Sequence, residues 1–171
     1  VSSERSKKIA IAAIAQEMRD TRERGARIAF VVGPAVIRSG AGPYLAAMVR
    51  AGYVQALFGG NAIATHDVES TLFGTSLGLS LSNGVAVEGG HQNHMRAINA
   101  IRGAGCLRAA VEKGLLKAGL MYECIANGVE LVLAGSIRDD GPMPDVITDV
   151  VAAQKAMRAG LKDVELVVMV A

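Results

Sequence analysis

Four stretches of this chain are almost continuously apolar, and each has the length of a β-strand: Ile28–Val32, Val54–Phe58, Val129–Ala134 and Val164–Val170. A strand wetted on one face alternates apolar and polar residues, whereas a strand that reads apolar along its length is covered on both faces. Segments with helical periodicity lie between these runs, punctuated by glycine. Strands that alternate with helices build βαβ units and a parallel sheet. The expected fold class is therefore α/β, a three-layer parallel sheet flanked by helices, with residues 1–171 as a single domain.

The spacing predicts a helix over residues 4–24, with Ile11, Ile14, Ala15 and Met18 on its buried face and Gly25 at its C-cap. Further helices are predicted over 43–50, opened by Pro43, and over 62–72. Three short ones follow over 89–102, 106–117 and 119–127. A last helix over 145–159 carries Val146, Val150, Ala153 and Met157 on one face. Residues 74–88, rich in Gly and Ser, read as loop. The chain stops just after its fourth apolar run, where a parallel sheet ordinarily adds a covering helix. The domain is therefore expected to be incomplete at its C-terminus and to belong to a longer chain. So apolar a sheet needs covering, which predicts a homo-oligomer.

A length of 171 residues suffices for one full-sized core. Trp is absent and aromatics are 4% of the chain, which argues against a stacking platform for nucleic acid. The net charge is only +2, and its basic excess falls in the first 27 residues, where solvated helix charge accounts for it. The two cysteines, Cys106 and Cys124, have no zinc-type spacing. No signal peptide and no apolar run near the ~20 residues of a membrane span is present, so a cytoplasmic location is expected.

In open parallel sheets, ligands bind at the carboxyl ends of the strands. Gly33–Gly42 follows the first strand and opens a helix, an order that suits phosphate through glycine and helix N-terminal amides. Its candidate cofactor residues are Gly33, Pro34, Ser39, Gly40, Ala41 and Gly42, although the spacing is not GxGxxG and an ordinary glycine turn is the alternative. Gly60, Asn61 and Ala62 repeat the pattern after the second strand, where Asn61 either caps a helix or meets a ribose or amide. The third strand leads into Gly135–Asp145, dense in charge. There Asp139 and Asp140 can hold an amine or act as a base, while Asp145 can cap the next helix. Glu88, His91 and His94 can be drawn as a metal site, but Gly89 and Gly90 break the helix between them, so no metal is expected. Asn93, His94 and Arg96 at a helix start are candidate substrate contacts, and Glu123 is a candidate acid if it faces the cleft.

Four long segments, taken in order, resemble one family: Val31–Tyr44, Gly59–Asp67, Gly90–Asn99 and Leu133–Asp149. Together they look like the archaeal-type ornithine cyclodeaminase family, also known as the LOR/SDH conserved-region family. The resemblance implies an NAD-binding, Rossmann-like module that converts L-ornithine to L-proline and ammonia. It implies that NAD takes a hydride from Cα, that the δ-amine displaces ammonia from the resulting imine, and that the hydride returns. Such a site needs a cation for the carboxylate, for which Arg138 is the candidate with Arg38 and Arg96 as alternatives. It also needs an anion for the δ-ammonium and a base for the α-amine, for which Asp139, Asp140 and Glu123 are the candidates. The alternatives are an amino-acid or imine dehydrogenase of the lysine–ketoglutarate reductase/saccharopine dehydrogenase type, and a non-catalytic NAD-binding module.

Overall fold

The computed structural model describes residues 7–170. In chain order its elements are α1 (Lys7–Glu23), β1 (Arg27–Val32), α2 (Ala35–Arg38), α3 (Gly42–Arg50), β2 (Ala56–Gly60) and α4 (Asn61–Phe73). A small hairpin, β3 (Thr75–Ser76) and β4 (Leu79–Ser80), precedes a 3₁₀ turn (Gly90–Gln92) and α5 (Asn93–Ala104). Then come α6 (Leu107–Glu112), α7 (Leu120–Ala126), β5 (Glu130–Ala134), β6 (Val146–Ile147), α8 (Val150–Gly160) and β7 (Val164–Val170).

The four apolar runs become the four long strands of one parallel sheet, ordered β6-β5-β2-β1-β7. From β1 the chain winds outward through β2, β5 and β6, then returns through α8 to place β7 on the other side of β1. The direction of winding reverses between β1 and β7, which makes that boundary the topological switch point. The three layers follow from side-chain alternation. Ile28, Phe30, Leu57 and Leu133 face the helices α1–α7, against Met18, Leu45, Ile63, Ile101, Leu120 and Met121 among others. Ala29, Ala56, Phe58 and Val132 face α8, against Ala156 and Met157. On that second face Val167 and Met169 of β7 stay exposed.

Several expectations are corrected. Gly59 and Gly60 do not form a turn but end β2, paired with Leu133 and Ala134. A Cβ on Gly59 would meet Ile63 Cγ2 at 2.7 Å, so the glycine is what lets α4 start directly on the strand. Only the C-terminal part of α1 reaches the core, through Met18 and Thr21; Ile11 and Ile14 are exposed. Residues 4–6 of that expected helix lie outside the described residues. Val146 and Ile147 pair as an edge strand with β5 instead of opening a helix. The last helix starts after Asp149, whose carboxylate accepts from Ala152 N at 2.6 Å, and Val150 is exposed on it. Asp145 caps α6 across the fold, accepting from Leu107 N at 2.9 Å. The Gly/Ser-rich loop contains the hairpin β3–β4.

The two thiols are set apart by burial. Desolvation, helped by the charges of Asp67 and Glu123, pushes the buried Cys124 thiol up to about 12. Cys106 is partly exposed and its Sγ accepts from Ala109 N at 3.4 Å, capping α6. Thiolates, not thiols, react. A disulfide reagent at neutral pH is therefore expected to label Cys106 at least ~100-fold faster than Cys124. Titration of Cys106→Ser should show no fast phase; a full fast equivalent in that variant would contradict the assignment.

Candidate functional site

The carboxyl ends of β1, β2 and β5 open into a cavity of about 560 Å³, a size suited to a small molecule or half of a dinucleotide. Pro34 and Arg38 line it from the β1 side, Asn61, Ala62, Thr65 and His66 from α4, and Ser136, Arg138, Asp139 and Asp140 from the loop after β5. His94 and Ile98 of α5 and Leu77 of the hairpin complete the wall.

α4 supplies anion-binding character. It is 13 residues long, and its N-cap, Gly60, has extended backbone and no side-chain cap, so the first-turn amides have no capping partner. Such amides attract a phosphate or carboxylate. The Thr65 hydroxyl, one turn on, is 4% exposed and has no hydrogen-bond partner. A buried polar atom without a partner is costly unless a ligand supplies one. The Asn61 carboxamide oxygen accepts from Met143 N at 3.1 Å, tying the loop after β5 to this helix.

The loop after β5 brings opposite charges together. Asp139 folds back to accept from Ser136 N at 2.7 Å. Asp140 lies 3.3 Å from His94 Nε2. Arg138 is held by its own N–H, which donates to Ser136 Oγ at 3.2 Å, leaving the guanidinium at the cavity.

The Gly33–Gly42 loop divides. Gly33 N–H donates to Val170 O, extending the β1–β7 ladder at the switch point. The amides from Val36 to Ala41 are spent inside the α2 turn, and Gly40, with φ of 78°, terminates that turn. Ser39, Gly40 and Gly42 instead line a second cavity of about 670 Å³ between α3, α4 and α7. Glu123 lies there too, 2.6 Å from Arg50, apart from Asp139 and Asp140. Arg38 borders both cavities.

Asn93 and Arg96 stand behind the first cavity rather than in its wall. Arg96 donates to Asn93 Oδ1 (3.2 Å), Asn93 Nδ2 to Thr75 Oγ1 (3.0 Å), and Thr75 Oγ1 to Glu69 Oε1 (2.9 Å). Glu69, fully buried, also meets His66 Nδ1 at 3.0 Å. Burial pushes the Glu69 carboxyl up, but the hydrogen bonds from His66 and Thr75, the His66 charge and Leu77 N–H outweigh it and hold it below its ordinary 4.5. Sequence reasoning missed Thr65, His66 and Glu69. The signal was available: Thr65, His66, Asp67 and Glu69 crowd polar groups onto a helix that is otherwise core. Among the described residues no group of three or more His, Cys, Asp or Glu is gathered to hold a metal.

Comparison with known proteins places these features in context. Residues 12–171 match the model of a family described as arginine dihydrolase ArgZ-like, C-terminal, Rossmann fold. The chain is 60% identical over 171 residues to an ornithine cyclodeaminase of Methanopyrus kandleri, covering 100% of this chain and 41% of that protein. Its structure is similar to a conserved putative LOR/SDH protein from Methanococcus maripaludis, with a TM-score of 0.94 and 52% identity, covering 100% of this chain and 54% of that one. It is equally similar, at a TM-score of 0.94 and 46% identity, to AgrE in its ternary complex with ornithine and NAD⁺, covering 100% of this chain and 25% of that one. The chain thus spans less than half the length of the cyclodeaminase it matches.

Proposed function

Since the chain belongs to the ArgZ-like C-terminal Rossmann-fold family, we propose that it is the NAD-binding part of an ornithine cyclodeaminase, which turns L-ornithine into L-proline and ammonia. The observation that carries this reading is the pairing, in one cavity, of an uncapped helix N-terminus and orphaned Thr65 hydroxyl with the charged cluster Arg138, Asp139 and Asp140.

The residues present fit NAD. Gly60, Asn61, Ala62 and Thr65 would hold a phosphate of it at the start of α4, with Pro34 on the β1 side of the same cavity and Ser39, Gly40 and Gly42 in the neighbouring one. When bound, NAD supplies a reversible acceptor for a hydride. Arg138, with Arg38 facing it across the cavity, offers the substrate carboxylate a fixed cation. Asp139 and Asp140, in the same cavity, would give the δ-ammonium an anion. Held by both ends, a flexible diamino acid is confined to a geometry in which its δ-nitrogen can reach Cα. A homo-oligomer in the cytoplasm is part of the proposal. The exposed Val167 and Met169 support the assembly.

The test uses the full-length enzyme. Denaturation is expected to release NAD, and added ornithine to give proline and ammonia with no net absorbance change at the NADH wavelength. Accumulation of NADH would favour the dehydrogenase alternative, and NAD without proline the binding module. Arg138→Ala is expected to raise the KM for ornithine roughly 30- to 100-fold, as loss of a charge-assisted contact does. An unchanged KM would remove Arg138 from the site.

A further inference from the structure

The wall of the strand-end cavity contains an imidazole to which the carboxylate chemistry above gives no part. His66 lies on the face of α4 that also carries Ala62 and Thr65, and all three line the cavity. Resting on the cyclodeaminase reading, we propose that His66, oriented by Glu69, is the base that takes the proton from the substrate's α-ammonium group.

The hydrogen-bond pattern fixes the tautomer. Glu69 is fully buried, and its oxygens receive Thr75 Oγ1, His66 Nδ1 and, at 3.4 Å, Leu77 N. Its carboxyl is held below the ordinary value, so at neutral pH it is ionised and only accepts. Nδ1 of His66 must therefore carry the proton and donate it. In the neutral ring Nε2 then bears the lone pair, and it has no hydrogen-bond partner among the described residues. A ring nitrogen held by a carboxylate on one side and free on the other is the arrangement of a general base. The chain Arg96–Asn93–Thr75–Glu69 behind the ring keeps it from rotating.

The other candidates have a different part: Asp139, which accepts from Ser136 N–H, and Asp140, 71% exposed and 3.3 Å from His94, serve the δ-ammonium. The charged and titratable groups that face His66 around the cavity are Glu69 on α4, Arg38 on α2, His94 on α5, and Arg138, Asp139 and Asp140 after β5. In the step, an N–H bond forms at His66 Nε2 as one N–H bond of the α-ammonium breaks. The electron pair stays on the amine nitrogen, where it can form the C=N bond as the Cα hydride leaves for bound NAD. Glu69 does not touch substrate; it is a positioning residue that stabilises the imidazolium.

The experiment compares full-length wild-type enzyme with His66→Gln and Glu69→Gln. Three quantities are read: NAD released on denaturation, ornithine Kd by calorimetry, and the pH profile of proline formation. For His66→Gln, NAD content and ornithine Kd are expected within about 3-fold of wild type, while kcat falls at least ~100-fold and the acid limb of the profile disappears. For Glu69→Gln, the carboxylate that stabilises the imidazolium is gone, so the acid limb moves down by about one pH unit. A His66→Gln enzyme with near-normal kcat and its acid limb intact overturns the proposal, as does a rate loss that merely tracks lost NAD. If His66→Gln does not fold, an unmoved acid limb in Glu69→Gln overturns it instead. Wild-type enzyme that makes no proline overturns the underlying cyclodeaminase reading, an outcome separate from either variant result.

Discussion

Replacing Gly119 by alanine is expected to cost the domain about 4 kcal/mol and to lower its melting temperature by roughly 10 °C. Gly119 precedes α7 with φ of 95°, a conformation that L side chains rarely adopt. A Cβ there would stand 2.6 Å from Thr71 Oγ1 and 2.8 Å from Asp67 Oδ2. Neither atom is a free side-chain end. Thr71 donates to Asp67 O at 2.9 Å, and the Asp67 carboxylate is fixed by two amides. Backbone strain and overpacking therefore add, and the helix junction must move to relieve them. Thermal unfolding of the variant checks this; a loss under about 1 kcal/mol would mean that the junction is loose.

Asp67→Asn is expected to destabilise by about 2 kcal/mol near neutral pH and by more in acid. The Asp67 carboxylate, buried to 3% exposure, accepts from Leu120 N at 2.8 Å and Met121 N at 2.7 Å and so caps α7 from the neighbouring helix. An amide nitrogen has no lone pair to offer the α7 amide, whereas the hydroxyl oxygen of a protonated Asp67 keeps one and can turn its O–H away, so Asn does not stand in for either form of the acid. The pH dependence has an unusual sign. Burial raises the Asp67 pKa from 3.8 to about 6, against the two amide bonds that lower it. Between those values the folded protein binds the proton more tightly than the unfolded chain. Its stability contribution is full below pH 4 and is lost as pH rises through 6. The displacement corresponds to roughly 3 kcal/mol. The stability difference between wild type and Asp67→Asn, measured by denaturant unfolding, should therefore shrink from pH 4 to pH 7. A difference that grows toward neutral pH would mean that the amides outweigh burial.

How far the sequence could be read depended on the kind of signal. The four long strands were legible because burial on both faces leaves no polar alternation to mistake. The small edge strand Val146–Ile147 was not, since two residues carry no periodicity and their apolar character fitted the helix that follows. Gly59–Gly60 read as punctuation because a glycine needed for close helix approach looks the same as one needed for a turn. Ile11 and Ile14 obeyed helical spacing yet point to solvent, since spacing gives a face and not what covers it. The charged loop Arg138–Asp140 and the start of α4 were found from position alone, at strand ends where ligands bind. Glu123 was not resolvable in that way: its ion pair with Arg50 joins residues 73 positions apart. His66 escaped notice because a lone histidine inside a helix is ordinary until its carboxylate partner is known to be buried.

The position of β7 bears on how the chain reaches this structure. Its seven residues pair along the whole of β1, with Arg27 opposite Val164 and Val32 opposite Val170. More than 130 residues separate the partners, so β1 gains its second neighbour only when residues 164–170 are available. During synthesis β1 can meet β2 early but must wait for nearly all of the described chain to complete its ladder. Pairings this remote in sequence fold slowly, because the entropy of closing the loop is lost before the contacts are gained. Through that interval one side of β1, with Ile28, Ala29 and Phe30, is an open apolar edge. Premature termination before residue 164 would make that edge permanent and leave a species prone to associate edge to edge.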